Sequence, residues 1–197
     1  MGRITLADEQ LNGSGFVNDL FTHFDDYVDR ILNGKDDFFR KMLSKEHIEN
    51  CDSSCYECLS NYNNMPYHGL LDWRLGIALF RLMVDNSYNV GLDGNFDYPE
   101  LVDWKQRASN LLLSLNESFD LGGVLVDSGY IPYLKREGQK AIFAVHPLWK
   151  TDSTNELLAE AVFDADLNSD EYITVDTFNM LRRIGTCYEY ISKLSEN

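Results

Sequence analysis

Residues 47–83, HIENCDSSCYECLSNYNNMPYHGLLDWRLGIALFRLM, set a dense cysteine array directly ahead of a strongly apolar helical stretch. Cys51, Cys55 and Cys58 stand in a C-x3-C-x2-C spacing, with His47 four residues upstream of the first. An odd trio of thiols cannot pair off internally as disulfides. Soft thiolate sulfur together with imidazole nitrogen is the donor set that Zn²⁺ prefers, four at a time and tetrahedrally. Three ligands are therefore in hand and the fourth is open. His47 is the nearest candidate, at the end of the preceding helix, while His68 and Cys187 compete if the fold brings either one in. With four protein ligands no position remains for water, so the Zn²⁺ would be structural and would pin the loop against its flanking helices.

Working outward, the segment after the cysteines reads as a polar loop to about residue 69. The helix from Leu70 onward carries so many apolar residues that it is expected to sit centrally. Upstream, apolar side chains at 16, 17, 20, 21, 24, 28, 31 and 32 follow the spacing of one amphipathic helix, closed by Asn33-Gly34. A second helix is expected over 36–47, and a short strand over 3–7 followed by a turn rich in glycine. Downstream, 86–97 reads as loop and 99–118 as a helix with Pro99 in its first turn. Gly122-Gly123 breaks that helix. Residues 124–134 and 141–147 then read as the strands of a hairpin turning near Gly138, 154–163 as a helix, 171–177 as a strand and 177–194 as a closing helix. The class is α+β, with a small α/β fold as the alternative. A helical zinc-binding region over 1–120 is followed by an α+β tail over 121–197, packed on it as one unit.

Composition bounds the function. The chain has 197 residues, 44% of them apolar, which suffices for a real core. No stretch has the ~20 apolar residues a membrane helix needs, and no secretory leader opens the sequence, so a cytoplasmic protein is expected. The net charge of −15 opposes unaided binding to duplex DNA. Residues 101–150 form the one block without an acidic excess, with six basic and five acidic side chains. Lys135, Arg136 and Lys140 gather there at the expected hairpin tip, which makes them the candidate nucleic-acid contact.

Other chemistry is thin. No G-x-x-x-x-G-K-[ST] phosphate loop occurs, so no ATPase is expected and no catalytic constellation stands out. The acidic run Asp164-x-Asp166-x-Asn168-x-Asp170 lacks the glycine and the bidentate glutamate of a calcium loop in either register, and reads as a solvated turn. His146 would be a general base only beside a carboxylate such as Asp127 or Asp176, and otherwise reads as a packed histidine.

The run CDSSCYECLSNYNNMPYHGLLDWRLGIALF (51–80) resembles the MrfA-type zinc-binding region, also described as DUF1998, at the C-terminal end of superfamily 2 DEAD/DEAH-type helicases. The likeness is closest to antiphage-defence members such as the DrmB subunit of DISARM. ADEQLNGSGFV, AVHPLW and DTFNMLRR resemble further pieces of that family. The resemblance implies Cys51, Cys55, Cys58 and an upstream ligand, mapped to His47, around a structural Zn²⁺. It also implies a non-enzymatic accessory domain or subunit that works with a helicase ATPase subunit in DNA repair or antiphage defence, reaching DNA through the complex. The two motor domains of such helicases are absent here. The alternative function is an acidic protein-interaction or DNA-mimicking module whose charge is itself the activity.

Overall fold

The computed structural model describes residues 13, 15–127 and 129–195, so the strand expected over 3–7 lies outside the described residues. The fold is α+β. The chain divides into two compact units, Met1–Tyr88 and Asn89–Asn197. The division falls ahead of the long central helix and not at 120, because that helix packs on the sheet that follows it.

The first unit is helical: α1 (Phe16–Thr22), α2 (Phe24–Leu32), α3 (Asp37–Met42), α4 (Lys45–Asn50), a 3₁₀ segment (Tyr62–Leu70) and α5 (Trp73–Val84). The single helix expected over 16–32 breaks at His23, whose backbone leaves the helical region at φ −115°, ψ 26°. There Thr22 Oγ1 donates to the Asn18 carbonyl and the His23 ring meets the Asp19 carbonyl, so side chains compete for the backbone groups of the turn. α2 closes at Asn33-Gly34 as the sequence predicts. Gly34 sits at φ +56° with the Arg40 backbone only 3.1 Å from where a Cβ would stand.

The helix expected over 36–47 is likewise two helices. Ser44, extended at ψ 151°, ends the first and caps the second by accepting a hydrogen bond from the His47 amide. α5 is capped by Asp72, which accepts from the Leu75 amide, and it buries Trp73, Arg74, Ile77 and Ala78. It does not run through the centre of its unit: Leu82, Met83 and Val84 are exposed. The buried row follows the 3–4-residue spacing of one helix face, so the apolar residues off that row stay outside. The core of this unit joins Met42, Trp73 and Ile77 to Cys51 and Cys58.

The second unit is built on a four-stranded sheet, β1 (Val124–Val126), β2 (Tyr133–Lys135), β3 (Ala141–Val145) and β4 (Tyr172–Asp176), in the order β1-β2-β3-β4. The long first strand of the expected hairpin is two short strands that pair with each other, Val124 opposite Lys135. β2 and β3 then form the hairpin across the turn at Gly138. β4 lies parallel to β3, and the connection between them carries α7 (Glu156–Asp164). α6 (Trp104–Phe119) begins later than Pro99 because the Leu101 and Val102 amides both bond the Tyr98 carbonyl and hold 98–102 as a turn. The closing helix is α8 (Thr177–Arg182) and α9 (Ile184–Ser195), broken at Arg183 (φ −139°, ψ 46°). α6 packs on β1, β2 and β3, α8 and α9 on β4, and all five residues of β3 are buried.

Candidate metal centre

The break between α3 and α4 positions the first ligand. Ser44 caps α4 so that His47 falls in its first turn, 4% exposed, with its ring against Trp73 at 5.4 Å between centroids. α4 ends at Cys51, whose extended backbone opens the loop carrying Cys55 and Cys58. Two turn bonds, from the Cys58 and Ser60 amides to the Cys55 carbonyl, fold the C-x2-C segment back on itself. The Cys55 amide donates to Cys58 Sγ at 3.1 Å.

Together these place one ligand atom of His47, Cys51, Cys55 and Cys58 within 4.8 Å of one another. Cys58 Sγ lies 3.8 Å from both Cys51 Sγ and Cys55 Sγ, and His47 Nε2 lies 3.5 Å from Cys55 Sγ. A tetrahedral Zn²⁺ with bonds of about 2.3 Å to sulfur and about 2.05 Å to nitrogen has S–S edges of about 3.8 Å and S–N edges of about 3.6 Å. The three sulfurs are free and far beyond the ~2.05 Å of a disulfide. The four side chains could thus hold a metal ion, and the donor set and edge lengths are compatible with zinc.

Burial dominates the electrostatics of His47, Cys51 and Cys58. Burial, with Cys58 close by, pushes the Cys51 thiol up to about 12. Burial also raises Cys58, opposed by the backbone amides of Cys55 and Leu59. Burial lowers the His47 ring, opposed by the Met42 carbonyl and reinforced by Arg74, so the imidazole is held in the neutral form that ligates metals. Nδ1 of His47 is buried and no acceptor meets it at full hydrogen-bond geometry. The Met42 carbonyl is the backbone group that bears on the ring. A ring nitrogen of that kind is where a ligating histidine carries its proton.

The residue that sequence reasoning missed is Arg74. It is 2% exposed and its guanidinium donates to the carbonyls of Ile48 (2.8 Å), Cys51 (2.5 Å) and Asp52 (3.1 Å), while standing 4.4 Å from the Trp73 ring centroid. Trp73 adds its Nε1–H to the Cys51 carbonyl at 3.3 Å and its amide to the Ser53 carbonyl at 2.9 Å. The head of α5 therefore grips the backbone on both sides of the first cysteine. The available signal was a cation on the buried row of an apolar helix, in register with Ile77 and Ala78.

The other candidates fall elsewhere. His68 turns its Nε2 to Asn61 O and Asn64 Oδ1, at 3.0 and 2.9 Å, within the 3₁₀ segment. Cys187 belongs to the second unit, buried on α9, where burial and Asp176 push its thiol up to about 11. Of the basic trio, Arg136 is 7% exposed and turned inward. It donates to Lys140 O, Gln139 Oε1 and Ser195 Oγ, so it closes the hairpin instead of facing solvent. Lys135 is exposed and Lys140 half-buried. In the acidic run after α7, the Glu171 carboxylate accepts from Asn168 N and Nδ2, which makes the segment a self-satisfied turn. Asp127 pairs with Lys105 and Asp176 caps α8, so neither serves His146 as a hydrogen-bond partner. No family model, no curated protein and no solved structure matches this chain.

Proposed function

We propose that the chain is a zinc-binding accessory module whose Zn²⁺ is structural, held by Cys51, Cys55, Cys58 and His47. The observation that carries this reading is the convergence of those four ligand atoms within 4.8 Å of one another, with the Cys51–Cys58, Cys55–Cys58 and His47–Cys55 separations of 3.8, 3.8 and 3.5 Å near tetrahedral edge lengths. Four protein ligands leave no open position for water or substrate, so the ion's work is to join α4, the cysteine loop and α5. Free thiols in this number fit a reducing compartment, in keeping with a cytoplasmic protein.

The resemblance of 51–80 to the MrfA-type region extends the proposal to a partner, a superfamily 2 helicase subunit in DNA repair or antiphage defence. In that setting the motor and most of the DNA contact belong to the partner. A second reading is favoured by two observations, the −15 charge and the inward turn of Arg136, which leaves the hairpin with Lys135 and Lys140 alone. In that reading an acidic protein-interaction or DNA-mimicking surface is itself the activity.

Elemental analysis of purified protein tests the zinc. About one Zn²⁺ per chain is expected, lost on C55S or C58S, and a folded wild type free of metal would overturn the proposal. Co-purification and electrophoretic shift separate the two partner readings. The first expects a motor-bearing ATPase as partner and DNA binding only in its presence. The second expects basic proteins as partners and competition against DNA.

A further inference from the structure

The second unit contains a cleft of about 470 Å³ at the C-terminal ends of the parallel strands β3 and β4, lined by Val145, His146, Trp149, Asp176, Arg183 and Tyr190 among others. The volume lies within the range of small-molecule sites. In open sheets with parallel strands this edge is where side chains and helix starts gather without being covered by the next crossover.

His146 supplies the first observation that points to a ligand. The residue is 4% exposed, yet its ring lines the cleft. Nδ1 accepts a hydrogen bond from the Leu148 amide at 3.2 Å, which leaves the hydrogen of the neutral ring on Nε2. Nε2 has no partner among the described residues. The ring is therefore a neutral donor presented to the cleft. It is not a general base, because its one lone pair is already used. Burial and the positive charge of Arg107 hold it neutral, with its pKa lowered to about 3.

Charge around the cleft supplies the second. Arg183 lines it, is exposed, and its guanidinium makes no hydrogen bond or ion pair among the described residues. Arg183 also immediately precedes α9, a helix of 12 residues whose first turn carries Thr186 into the lining. The amides of such a first turn lack helical acceptors and favour anions. The opposing charge, Asp176, is already engaged: Oδ1 accepts from Asn179 N at 2.9 Å and Oδ2 from Asn179 Nδ2 at 2.7 Å. Trp149 and the half-exposed Tyr190 provide apolar, flat surface.

We propose that this cleft binds a small organic anion, a carboxylate or a phosphate monoester carried on a flat ring. Arg183 and the start of α9 take the anionic oxygens, the His146 Nε2–H donates to the same ligand, and Trp149 and Tyr190 flank the ring. This assignment is independent of the metal centre.

The test is a titration of the full zinc-loaded chain with phenyl phosphate, benzoate and inorganic phosphate, read by the His146 imidazole resonance in NMR. Saturable shifts are expected with at least one of the ring-bearing anions, and whichever binds more tightly identifies the phosphate or the carboxylate as the source. R183A is expected to weaken that binding about ten- to a hundredfold, the worth of one charge-assisted hydrogen bond. Because Arg183 is exposed, the variant keeps the fold, which its dispersed amide spectrum verifies, and H146F, followed by the amide resonances of the cleft, provides an independent loss of the donor. Three results would overturn the proposal: no saturation by about 10 mM of any probe, equal affinity in R183A, or binding of uncharged phenol as tight as that of the anions.

Discussion

Replacing Arg74 by alanine is expected to weaken zinc binding although Arg74 is not a ligand. The guanidinium donates three hydrogen bonds to the carbonyls of Ile48, Cys51 and Asp52. Hydrogen bonds from a charged donor contribute about 1.5–3 kcal/mol each where the acceptor would otherwise be stranded. The Cys51 carbonyl keeps a second donor in Trp73 Nε1, and the bonds to Ile48 and Asp52 lie in partly buried surroundings that water can reach. Discounting for both, the loss should be about 2–4 kcal/mol, near the lower end of what an uncompensated buried partner costs. The bonds hold the loop in the geometry that the metal requires, so most of this loss should appear in metal affinity, as a decrease of about thirtyfold to a thousandfold. Chelator competition measures that affinity, with urea unfolding of the zinc-loaded protein as the companion measurement. R74K retains the charge but not the planar fork, and should recover less than half of the loss. R74A that competes for zinc as well as wild type, or full rescue by R74K, would refute the reasoning.

Other expectations follow from the same geometry. H47A should drop zinc to well below stoichiometric after mild chelation, H47C should restore it, and C187S should leave the metal content unchanged; atomic absorption distinguishes these outcomes. R136A should destabilise the protein by about 1–3 kcal/mol, because three hydrogen bonds of a buried guanidinium are lost, whereas K135A should change stability by less than about 0.5 kcal/mol. For His146 the folded pKa of about 3 lies below the ordinary value of 6.5, so the unfolded chain takes up the proton first. Stability is therefore full above about pH 6.5 and falls as the pH drops toward 3, by about 2 kcal/mol between pH 7 and 5. Urea midpoints across that window should fall less steeply in H146Q than in wild type, and parallel slopes would show that the ring does not carry the effect.

Much of the metal site was legible before folding because it is local. The spacing of Cys51, Cys55 and Cys58 and the nearness of His47 along the chain leave a loop too short to scatter them. The α+β class and the placement of most elements were legible for a related reason, since periodicity reports which side chains share a face of one helix or strand. The helix breaks at His23, Ser44 and Arg183 were not legible in that way. Apolar spacing runs on through a kink, and at His23 and Ser44 it is the competition of side chains for backbone groups that ends the helix.

Tertiary structure alone decided the fate of the polar groups. Neither Arg74, on the apolar row of a helix, nor Arg136, at an expected hairpin tip, names its partner in sequence. Arg74 is buried because carbonyls up to 26 residues away receive it, and Arg136 because its own hairpin turn supplies Lys140 O and Gln139 Oε1 and α9 supplies Ser195 Oγ. His146 and Arg183 share a cleft only because β3 and β4 run parallel and α8 breaks where it does. A donor set held in a short loop is a property of spacing, and so the sequence determined it. The partner of a buried charge is a property of which distant backbone the fold brings to it, and no periodicity encodes that.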